Sequence, residues 1–383
     1  MEIEHLRVDP LYKNQLDMRC FARMLESPTQ SYKFYWLEAI LTLIPEKYEM
    51  SFEEIIYEMF WEAWYTVSQY HLHLGPTIEG KSENCIEHAV HIIEQDQEIK
   101  LPMTRDYFMN LLEKNKEHIK PDVDGLIKNV PYRLLSSFMD GIGGNDKIWD
   151  QKKRLITYLE FLNEKIRLPY IIIDGCGAQK KLRVDPAWRQ VLLDNYTVIK
   201  SWVQMKKVRF LQDRNPGVPG IVYKLEDEEN RVRKLEKVRD LWRTYEKVSG
   251  KEIYDLYSGQ KIQADRLSID HFVPWSYVTN DELWNLAPMD RGNNSSKGNR
   301  LPEWKRFFPR LSVAQYDLYN VVFSNERARK KFETCRTQNL NAIWAAESLY
   351  VPGNSREQFE NILEHNLKPI YEAAMLQGYA VWK

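Results

Sequence analysis

One stretch of the chain, residues 257–302, carries most of the information about its architecture. It reads YSGQKIQADRLSIDHFVPWSYVTNDELWNLAPMDRGNNSSKGNRLP. Residues 267–271 alternate apolar and polar side chains, which predicts a short strand ending in an Asp–His pair. Residues 286–289 predict a second extended piece, and the polar run at 293–299 predicts the start of a short helix. This order of elements predicts that polar residues distant in sequence meet at one site.

The whole pattern resembles the HNH nuclease family, which has the ββα-metal fold. The match consists of Asp270–His271, then Trp-Asn-Leu at 284–286, then Asn294-x-x-Lys297-Gly-Asn. The segment opens with Tyr-Ser-Gly, as do HNH domains that lack zinc-binding cysteines. It is most similar to the branch that includes the HNH domain of CRISPR effector nucleases. The resemblance covers 46 of the 383 residues, and it rests on the conjunction of all three elements in order.

The resemblance implies a role for each matched residue. Asp270 and Asn294 supply oxygen ligands, which Mg²⁺ (or Mn²⁺) prefers. His271 is expected to act as the general base that accepts a proton from the attacking water. Asn285 is expected to hold the loop and orient this base. Many HNH proteins have a histidine at the position of Asn294, but an asparagine preserves an oxygen ligand.

Two basic residues near the short helix are candidates for phosphate contact. Lys297 and Arg300 are expected to meet the nucleic acid, although an Asn-rich helix cap explains the segment without them. Adjacent strand residues point to opposite faces, so Asp270 and His271 reach one site only if the strand ends or bends there. Pro274 favours such an end.

Zinc is not expected in this protein. Four cysteines are scattered tens of residues apart and form no C-x-x-C pair. Apolar packing is therefore expected to hold the module. The side chains expected to be buried for this purpose are Leu267, Ile269, Phe272, Leu283, Leu286 and Trp304.

The rest of the chain predicts a mainly α protein with an α+β HNH module and helical arms on both sides. Four regions are expected. Residues 1–120 form an acidic helical region, and residues 121–250 form a helical region that includes a small hairpin near 169–184. Residues 251–305 form the module, and residues 306–383 form a C-terminal helical region. Helices are predicted over 31–44, from Ser51 onward, from Asp185 to about Gln212, over Arg231–Lys247, and after Pro309.

Charge is distributed unevenly along the chain. The first 100 residues hold 18 Asp and Glu against 8 Lys and Arg, whereas residues 291–336 hold 11 basic and 4 acidic residues. This asymmetry favours a basic part that meets a polyanion and an acidic region that binds a protein partner. A solvated basic face is the alternative. The apolar runs fall far short of the ~18 residues that cross a bilayer, and no signal segment opens the sequence, so the protein is expected in the cytoplasm.

These observations predict a metal-dependent endonuclease, acting on DNA in preference to RNA, in a prokaryotic defence, restriction or mobile-element setting. One alternative is a non-catalytic nucleic-acid-binding or regulatory protein that keeps an HNH scaffold. Another is a structural adaptor in which the helical arms dominate. Nicking of a plasmid with and without Mg²⁺ separates the enzyme from the others.

Overall fold

The computed structural model describes residues 16–76, 83–96, 103–139, 151–173, 175–225 and 235–383. The chain divides into two compact units, Met1–Pro216 and Gly217–Lys383. Helices dominate both units, and the second contains a small α+β element around residues 267–297. The predicted fold class is therefore confirmed, whereas the division into four regions stays a prediction.

In its described residues, the first unit consists mainly of helices, with 3₁₀ turns at Leu134–Met139 and Gly177–Gln179 and a small sheet. Its helices are α1 (Met18–Arg23), α2 (Tyr32–Leu43), α3 (Phe52–Ser68), α4 (Cys85–Glu94), α5 (Arg105–Lys114), α6 (Lys116–Arg133), α7 (Lys152–Lys165), α8 (Pro186–Asp194) and α9 (Tyr196–Arg214).

Helix α3 shows how local sequence fixes the elements of this unit. The Ser51 hydroxyl accepts a hydrogen bond from the backbone N–H of Glu54 (3.1 Å), and the Glu54 carboxylate accepts one from the backbone N–H of Ser51 (2.7 Å). This reciprocal cap begins the helix where the sequence predicts it. Trp36 and Trp64 are buried, so these aromatic side chains belong to the core and present no surface for stacking on bases.

The sheet of the first unit has three antiparallel strands in the order β1 (Glu49–Ser51), β3 (Lys181–Val184), β2 (Tyr170–Ile173). The predicted hairpin is β2 and β3, with Tyr170 opposite Val184. Strand β1 was not predicted, because three residues directly before a helix are too few to show a periodic pattern.

The single helix predicted from Asp185 to about Gln212 is wrong. The structure has two helices, α8 and α9, separated at Asn195, whose backbone leaves the helical region (φ −114°, ψ 24°). The backbone N–H and the side-chain amide of Asn195 both donate to the carbonyl of Val191 (3.1 and 3.0 Å), so the side chain adds a bond at the end of α8 and displaces none. Asparagine favours such a departure from the helix because its short side chain can bond to nearby backbone groups.

The second unit also consists mainly of helices, with a 3₁₀ turn at Leu283–Asn285 and a π-helical turn at Ala345–Leu349. Its helices are α10 (Ile221–Lys224), α11 (Glu236–Ser249), α12 (Trp275–Val278), α13 (Arg291–Lys297), α14 (Trp304–Ser324), α15 (Glu326–Asn339) and α16 (Arg356–Leu376). Its strands are β4 (Leu267–His271), β5 (Leu286–Asp290), β6 (Leu301–Pro302) and β7 (Val381–Trp382).

Two helix boundaries differ from the sequence-based expectation. Helix α14 begins at Trp304, so Pro309 lies inside it instead of preceding it. Pro309 is the sixth residue of this helix, two positions after the first backbone bond (Phe307 N–H to Glu303 carbonyl), so the helix continues past it without the bond from residue 309 to the carbonyl of Lys305. The predicted basic helix begins at Glu236 in the described part of the chain, and residues 226–234 lie outside that part.

The apolar residues expected to hold the module are buried, with one exception. Leu267, Ile269, Phe272, Leu283 and Leu286 are each at most 5% exposed. Trp304 is half-buried and stacks on Phe308 with ring centroids 4.4 Å apart. Within the described residues, no helix is both long and apolar enough to span a membrane.

Candidate active site

A two-stranded hairpin followed by a short helix forms the framework of the site. Strands β4 and β5 pair antiparallel, with Asp270 opposite Ala287 and His271 opposite Leu286 at the end of the ladder. Helix α13 follows β5 directly, and the Asp290 side chain caps it by accepting from the N–H of Gly292 (2.8 Å). The strand thus ends at the Asp–His pair, as the sequence predicts.

The Asp270 carboxylate is only 4% exposed and is held by two side chains. The Tyr257 hydroxyl donates to Oδ2 (2.7 Å), and Nζ of Lys297 lies 3.2 Å from Oδ1 and 3.1 Å from Oδ2. Burial raises the pKa of the Tyr257 hydroxyl well above its ordinary value, and the Asp270 charge raises it further. Tyr257 therefore remains a proton donor to the carboxylate at any ordinary pH.

Lys297 is fully buried at the end of α13 and points back to β4. Besides the carboxylate of Asp270, its ammonium donates to the backbone carbonyl of His271 (2.8 Å). Burial lowers the pKa of Lys297, and the interaction with Asp270 opposes that effect. The phosphate contact predicted for Lys297 requires its side chain to leave this position, and it stays a prediction.

His271 pairs with an acidic residue ten positions further along the chain. Its Nε2 atom lies 2.9 Å from Oδ1 of Asp281, and both side chains are less than 10% exposed. A carboxylate only accepts hydrogen bonds, so this contact places a proton on Nε2, and in a neutral imidazole Nδ1 is then the nitrogen without a proton. The contact with Asp281 thus fixes which nitrogen of a neutral His271 ring could accept a proton.

Asn285 holds the chain directly after His271. Its side chain, completely buried, accepts from the N–H of Val273 (2.8 Å) and donates to the carbonyl of the same residue (2.9 Å). In addition, the backbone carbonyl of Asn285 accepts from the N–H of Phe272 (2.8 Å). Asn285 thus bonds to the backbone on both sides of the Phe272–Val273 peptide, and the role in holding the loop and orienting His271 that the resemblance implies stays a prediction.

Asn294 and Arg300 occupy more open positions. The Asn294 amide donates to the hydroxyl of Ser268 (2.8 Å), on the same strand as Asp270 and two residues before it. Arg300 is exposed, and its guanidinium donates to the backbone carbonyls of Ser296 and Lys297. The structure thus brings Asp270, His271 and Lys297 into one buried cluster, with Asn294 beside the strand and Arg300 at the surface.

Asp255, which the sequence analysis did not select, joins the start of the segment to its helix. Its carboxylate accepts from the N–H groups of Tyr257 (2.9 Å), Ser258 (2.7 Å) and Asp290 (2.6 Å), and from the side chain of Asn293 (3.2 Å). This one buried side chain therefore fixes both the turn that carries Tyr257 and the helix that carries Lys297.

An ion pair at the N-terminus of α13 adds to this support. The Arg266 guanidinium donates to both oxygens of Asp290 (2.6 Å each). These bonds, together with the N–H of Gly292, lower the pKa of Asp290 from 3.8 to about 2. Asp290 is thus a charged helix cap at neutral pH, which the positive end of a helix favours.

Helices from the C-terminal part of the second unit hold the hairpin from outside. The Gln315 amide donates to the carbonyls of Leu283 (2.9 Å) and Leu286 (2.6 Å), and Arg310 donates to the carbonyl of Tyr257 (2.6 Å). Glu282 accepts from the N–H groups of Asn341 and Ala342. The site geometry therefore depends on α14 and on the segment after α15.

The sequence analysis also missed Tyr257 and Asp281 as site residues. Tyr257 belongs to the Tyr-Ser-Gly turn, whose presence was noted without a role for the hydroxyl. Asp281 lies between Asn280 and Glu282, and nothing in that polar run indicates which side chain turns toward His271. A spacing of ten residues across a loop is not a recognisable signal without the loop conformation.

A cavity of about 400 Å³ lies beside the module, between α11, α14 and the turn at residues 252–259. Its wall is largely apolar and includes Trp242, Tyr254 and Pro288. None of the predicted site residues lines it, so the candidate chemistry is outside this cavity.

The chemistry of the Asp270 carboxylate is compatible with a cation, since both of its oxygens lie within 3.2 Å of the Lys297 ammonium. The Asn294 side-chain amide donates to Ser268 and to the carbonyl of Ile269, so ligation of a cation by its oxygen, of the kind that Mg²⁺ prefers, stays a prediction. In the described parts of the chain, no group of three or more His, Cys, Asp and Glu side chains is arranged to hold a metal ion. A cation here would therefore depend on Asp270, Asn294, water and phosphate oxygens.

Comparison with known proteins gives one match. The family model of HNH endonucleases matches residues 255–303, which include all the predicted site residues. The resemblance to this family is therefore confirmed for that segment, and the match supports nuclease activity on nucleic acid. No curated protein and no solved structure matches the chain. Similarity to the zinc-free branch of CRISPR effector nucleases stays a prediction.

Proposed function

We propose that the protein is a metal-dependent endonuclease that hydrolyses phosphodiester bonds of DNA, with its active site at Asp270 and His271. The observation that carries this proposal is the pair at the end of β4. Asp270 pairs there with the Lys297 ammonium, and the adjacent His271 has its Nε2 held by the Asp281 carboxylate. A carboxylate able to hold a cation, next in sequence to an oriented imidazole, supports hydrolysis of a phosphodiester.

Asp270 and Asn294 would hold the cation. Bound there, it would stabilise the negative charge that develops on the phosphate. His271 accepts the proton of the attacking water at Nδ1, while the contact between Nε2 and Asp281 keeps the ring in place. Asn285 fixes Val273 and thereby the direction in which the chain leaves His271.

Substrate binding requires a rearrangement of Lys297. Asp270 and His271 are each 4% exposed, and the Lys297 ammonium occupies the oxygens that a divalent cation would use. We propose that Lys297 leaves Asp270 when the cation binds and then contacts a phosphate. Arg300 supplies a second phosphate contact from the surface.

DNA is proposed as the substrate in preference to RNA, in the cytoplasm of a prokaryote and in a defence, restriction or mobile-element setting. The charge distribution supports a polyanionic substrate for the second unit, since Arg291, Lys305, Arg306, Arg329 and Lys330 are all exposed. The acidic first 100 residues are proposed to bind a protein partner.

The test is incubation of the purified full-length protein with supercoiled plasmid, with and without Mg²⁺, and with single-stranded DNA and RNA circles in parallel. The expected result is Mg²⁺-dependent nicking of DNA that Asp270→Asn abolishes. Asp265→Asn, which removes an exposed carboxylate of the same module, should leave nicking unchanged. DNA binding without cleavage under all conditions would favour the alternative of a non-catalytic nucleic-acid-binding or regulatory protein that keeps an HNH scaffold.

A further inference from the structure

The loop that follows β4 contains Asp281, whose side chain contacts His271 at the end of that strand. The Asp281 side chain is 8% exposed and His271 is 5% exposed by the same measure, so water contributes little to either partner. At 2.9 Å the pair has the length of a direct hydrogen bond. A carboxylate this close to an imidazole N–H fixes both the orientation and the tautomer of the ring.

Asp281 is itself fixed by surrounding structure. Its backbone carbonyl accepts from the side-chain amide of Asn339 (2.8 Å), which is fully buried at the end of α15. The next residue, Glu282, accepts from Trp284 Nε1 (3.1 Å) and from backbone N–H groups beyond α15. The backbone that carries the Asp281 carboxylate is therefore held by the end of α15 and by the segment that follows it.

From this geometry we infer that Asp281 is a positioning residue for His271: it holds the imidazole with the proton on Nε2, so that Nδ1 is the atom that receives the proton from water. This inference rests on the proposed function for its catalytic consequence. In this role Asp281 acts only through His271 and touches neither substrate nor cation.

The alternative is that Asp281 holds His271 in a resting position from which it must be released. The two readings predict opposite effects of Asp281→Asn. This substitution keeps the size of the side chain but removes its charge, and an amide can donate to Nε2 and so favour the wrong tautomer. In a His–Asp pair of a serine protease, the same exchange lowers kcat by about 10⁴ without altering the geometry.

The first experiment needs no activity. Long-range ¹H–¹⁵N correlation spectra of full-length protein labelled with ¹⁵N-histidine report which ring nitrogen carries the proton, and His271→Ala identifies the signal among the eight histidines. The expected result is the Nε2-protonated tautomer for His271, and loss of that single tautomer in Asp281→Asn. An Nδ1-protonated ring in the wild-type protein would overturn the inference, even if Asp281→Asn does not fold.

The second experiment measures the kinetics of plasmid nicking. Asp281→Asn should lower kcat at least about tenfold and at most as much as His271→Ala, because a positioned base contributes roughly 10²–10⁴-fold. KM should change little, and adding Asp281→Asn to His271→Ala should cause no further loss. The exposed Asp265→Asn serves as the control. A rate equal to that of the control, or a faster rate, would overturn the inference.

The two experiments separate failure of this inference from failure of the proposed function. A wild-type protein that shows the Nε2-protonated tautomer, its loss in Asp281→Asn, and no cleavage of any nucleic acid refutes the nuclease and leaves the positioning contact intact. A wild-type protein that cleaves DNA at the same rate with and without the Asp281 carboxylate refutes the positioning role and leaves the nuclease intact.

Discussion

The Nζ atom of Lys297 lies 3.1 Å from Oδ2 of Asp270, and the two side chains are at most 5% exposed. The ammonium belongs to the end of α13 and the carboxylate to the end of β4, so this pair also joins the helix to the hairpin. Removal of one partner from a buried ion pair typically costs about 3–5 kcal/mol, because the other charge is left without compensation. Loss of either partner alone is therefore expected to destabilise the module in the absence of another cation.

Lys297→Met should lower the melting temperature, and Mg²⁺ should restore more of it in the variant than it adds to the wild-type protein. The physical reason is that a cation at Asp270 no longer competes with the ammonium and compensates the same carboxylate. Melting curves over a Mg²⁺ titration measure both effects. Lys305→Met, at an exposed position, is the control. Equal Mg²⁺ shifts in the variant and the wild type would contradict competition for Asp270.

Asn285→Ala should destabilise the protein and reduce nicking. The substitution leaves the N–H and the carbonyl of Val273 without their partners in a buried place, at a cost of about 1–3 kcal/mol for each group. Chemical denaturation gives the free energy of unfolding, and the nicking rate at a temperature where the variant is folded gives the catalytic effect. Asn320→Ala, at an exposed position of α14 outside the matched segment, should change neither quantity. An unchanged free energy of unfolding for Asn285→Ala would show that these two bonds do not hold the loop.

The elements of the site could be predicted from the sequence because their signals are local. Strands β4 and β5 and helix α13 lie within two residues of their predicted positions, since alternation and a polar cap are properties of adjacent residues. The position of the Asp–His pair at a strand end follows from the same pattern.

The contacts around the site could not be predicted, because they depend on loop and helix orientation. The loop between β4 and β5 contains the short helix α12, followed by Thr279, whose backbone is in the left-handed region (φ 53°). This path of the chain turns the side chain of Asp281 toward His271 and that of Glu282 away from it. Lys297 was expected at the phosphate, but a helix of two turns can direct its last residue either outward or toward the strand. The break at Asn195 likewise depends on the backbone conformation of one residue, which the helical patterns on both sides of it do not reveal.

The Asp290–Arg266 pair should give the stability a pH dependence in the acidic range. Because the folded-state pKa of Asp290 is lowered to about 2 from 3.8, the contribution of the pair is complete above the unfolded value and is lost as the pH falls toward 2. Asp290→Asn keeps a good helix cap and removes the ion pair, so it should melt slightly lower than wild type at pH 7. The difference should shrink between pH 4 and pH 2. A difference in melting temperature that is constant over that range would exclude the ion pair as its cause.

Affinity for duplex DNA should fall steeply with salt. Each neutralised phosphate contributes a slope of about −0.9 in log affinity against log salt concentration. Lys297 is unsuitable for testing this because it is buried, whereas Arg300 is exposed, and Arg300→Gln should reduce the slope by about 1. Fluorescence anisotropy without added Mg²⁺, in the slow-cleaving His271→Ala background, measures this, and Lys128→Gln in the first unit is the matched control. Affinity that does not respond to salt would place the DNA away from the basic residues of the second unit.

Each variant of the three predicted site residues His271, Asp270 and Asn294 should impair a different step, either cation binding or cleavage. His271→Ala should lower the cleavage rate roughly 10²–10⁴-fold and leave Mn²⁺ and DNA binding intact, because the imidazole, held by Asp281, is proposed as the base and not as a ligand. Asp270→Asn keeps an acceptor for Tyr257 but removes the charge that a cation requires, so it should weaken Mn²⁺ binding itself. Asn294→Ala should weaken it less, with partial rescue of cleavage at high Mg²⁺. Electron paramagnetic resonance of free Mn²⁺ gives the affinities, nicking gives the rates, and His365→Ala, an exposed histidine, controls for loss of an imidazole. If His271→Ala loses Mn²⁺ as completely as Asp270→Asn does, the histidine is a ligand and not the base.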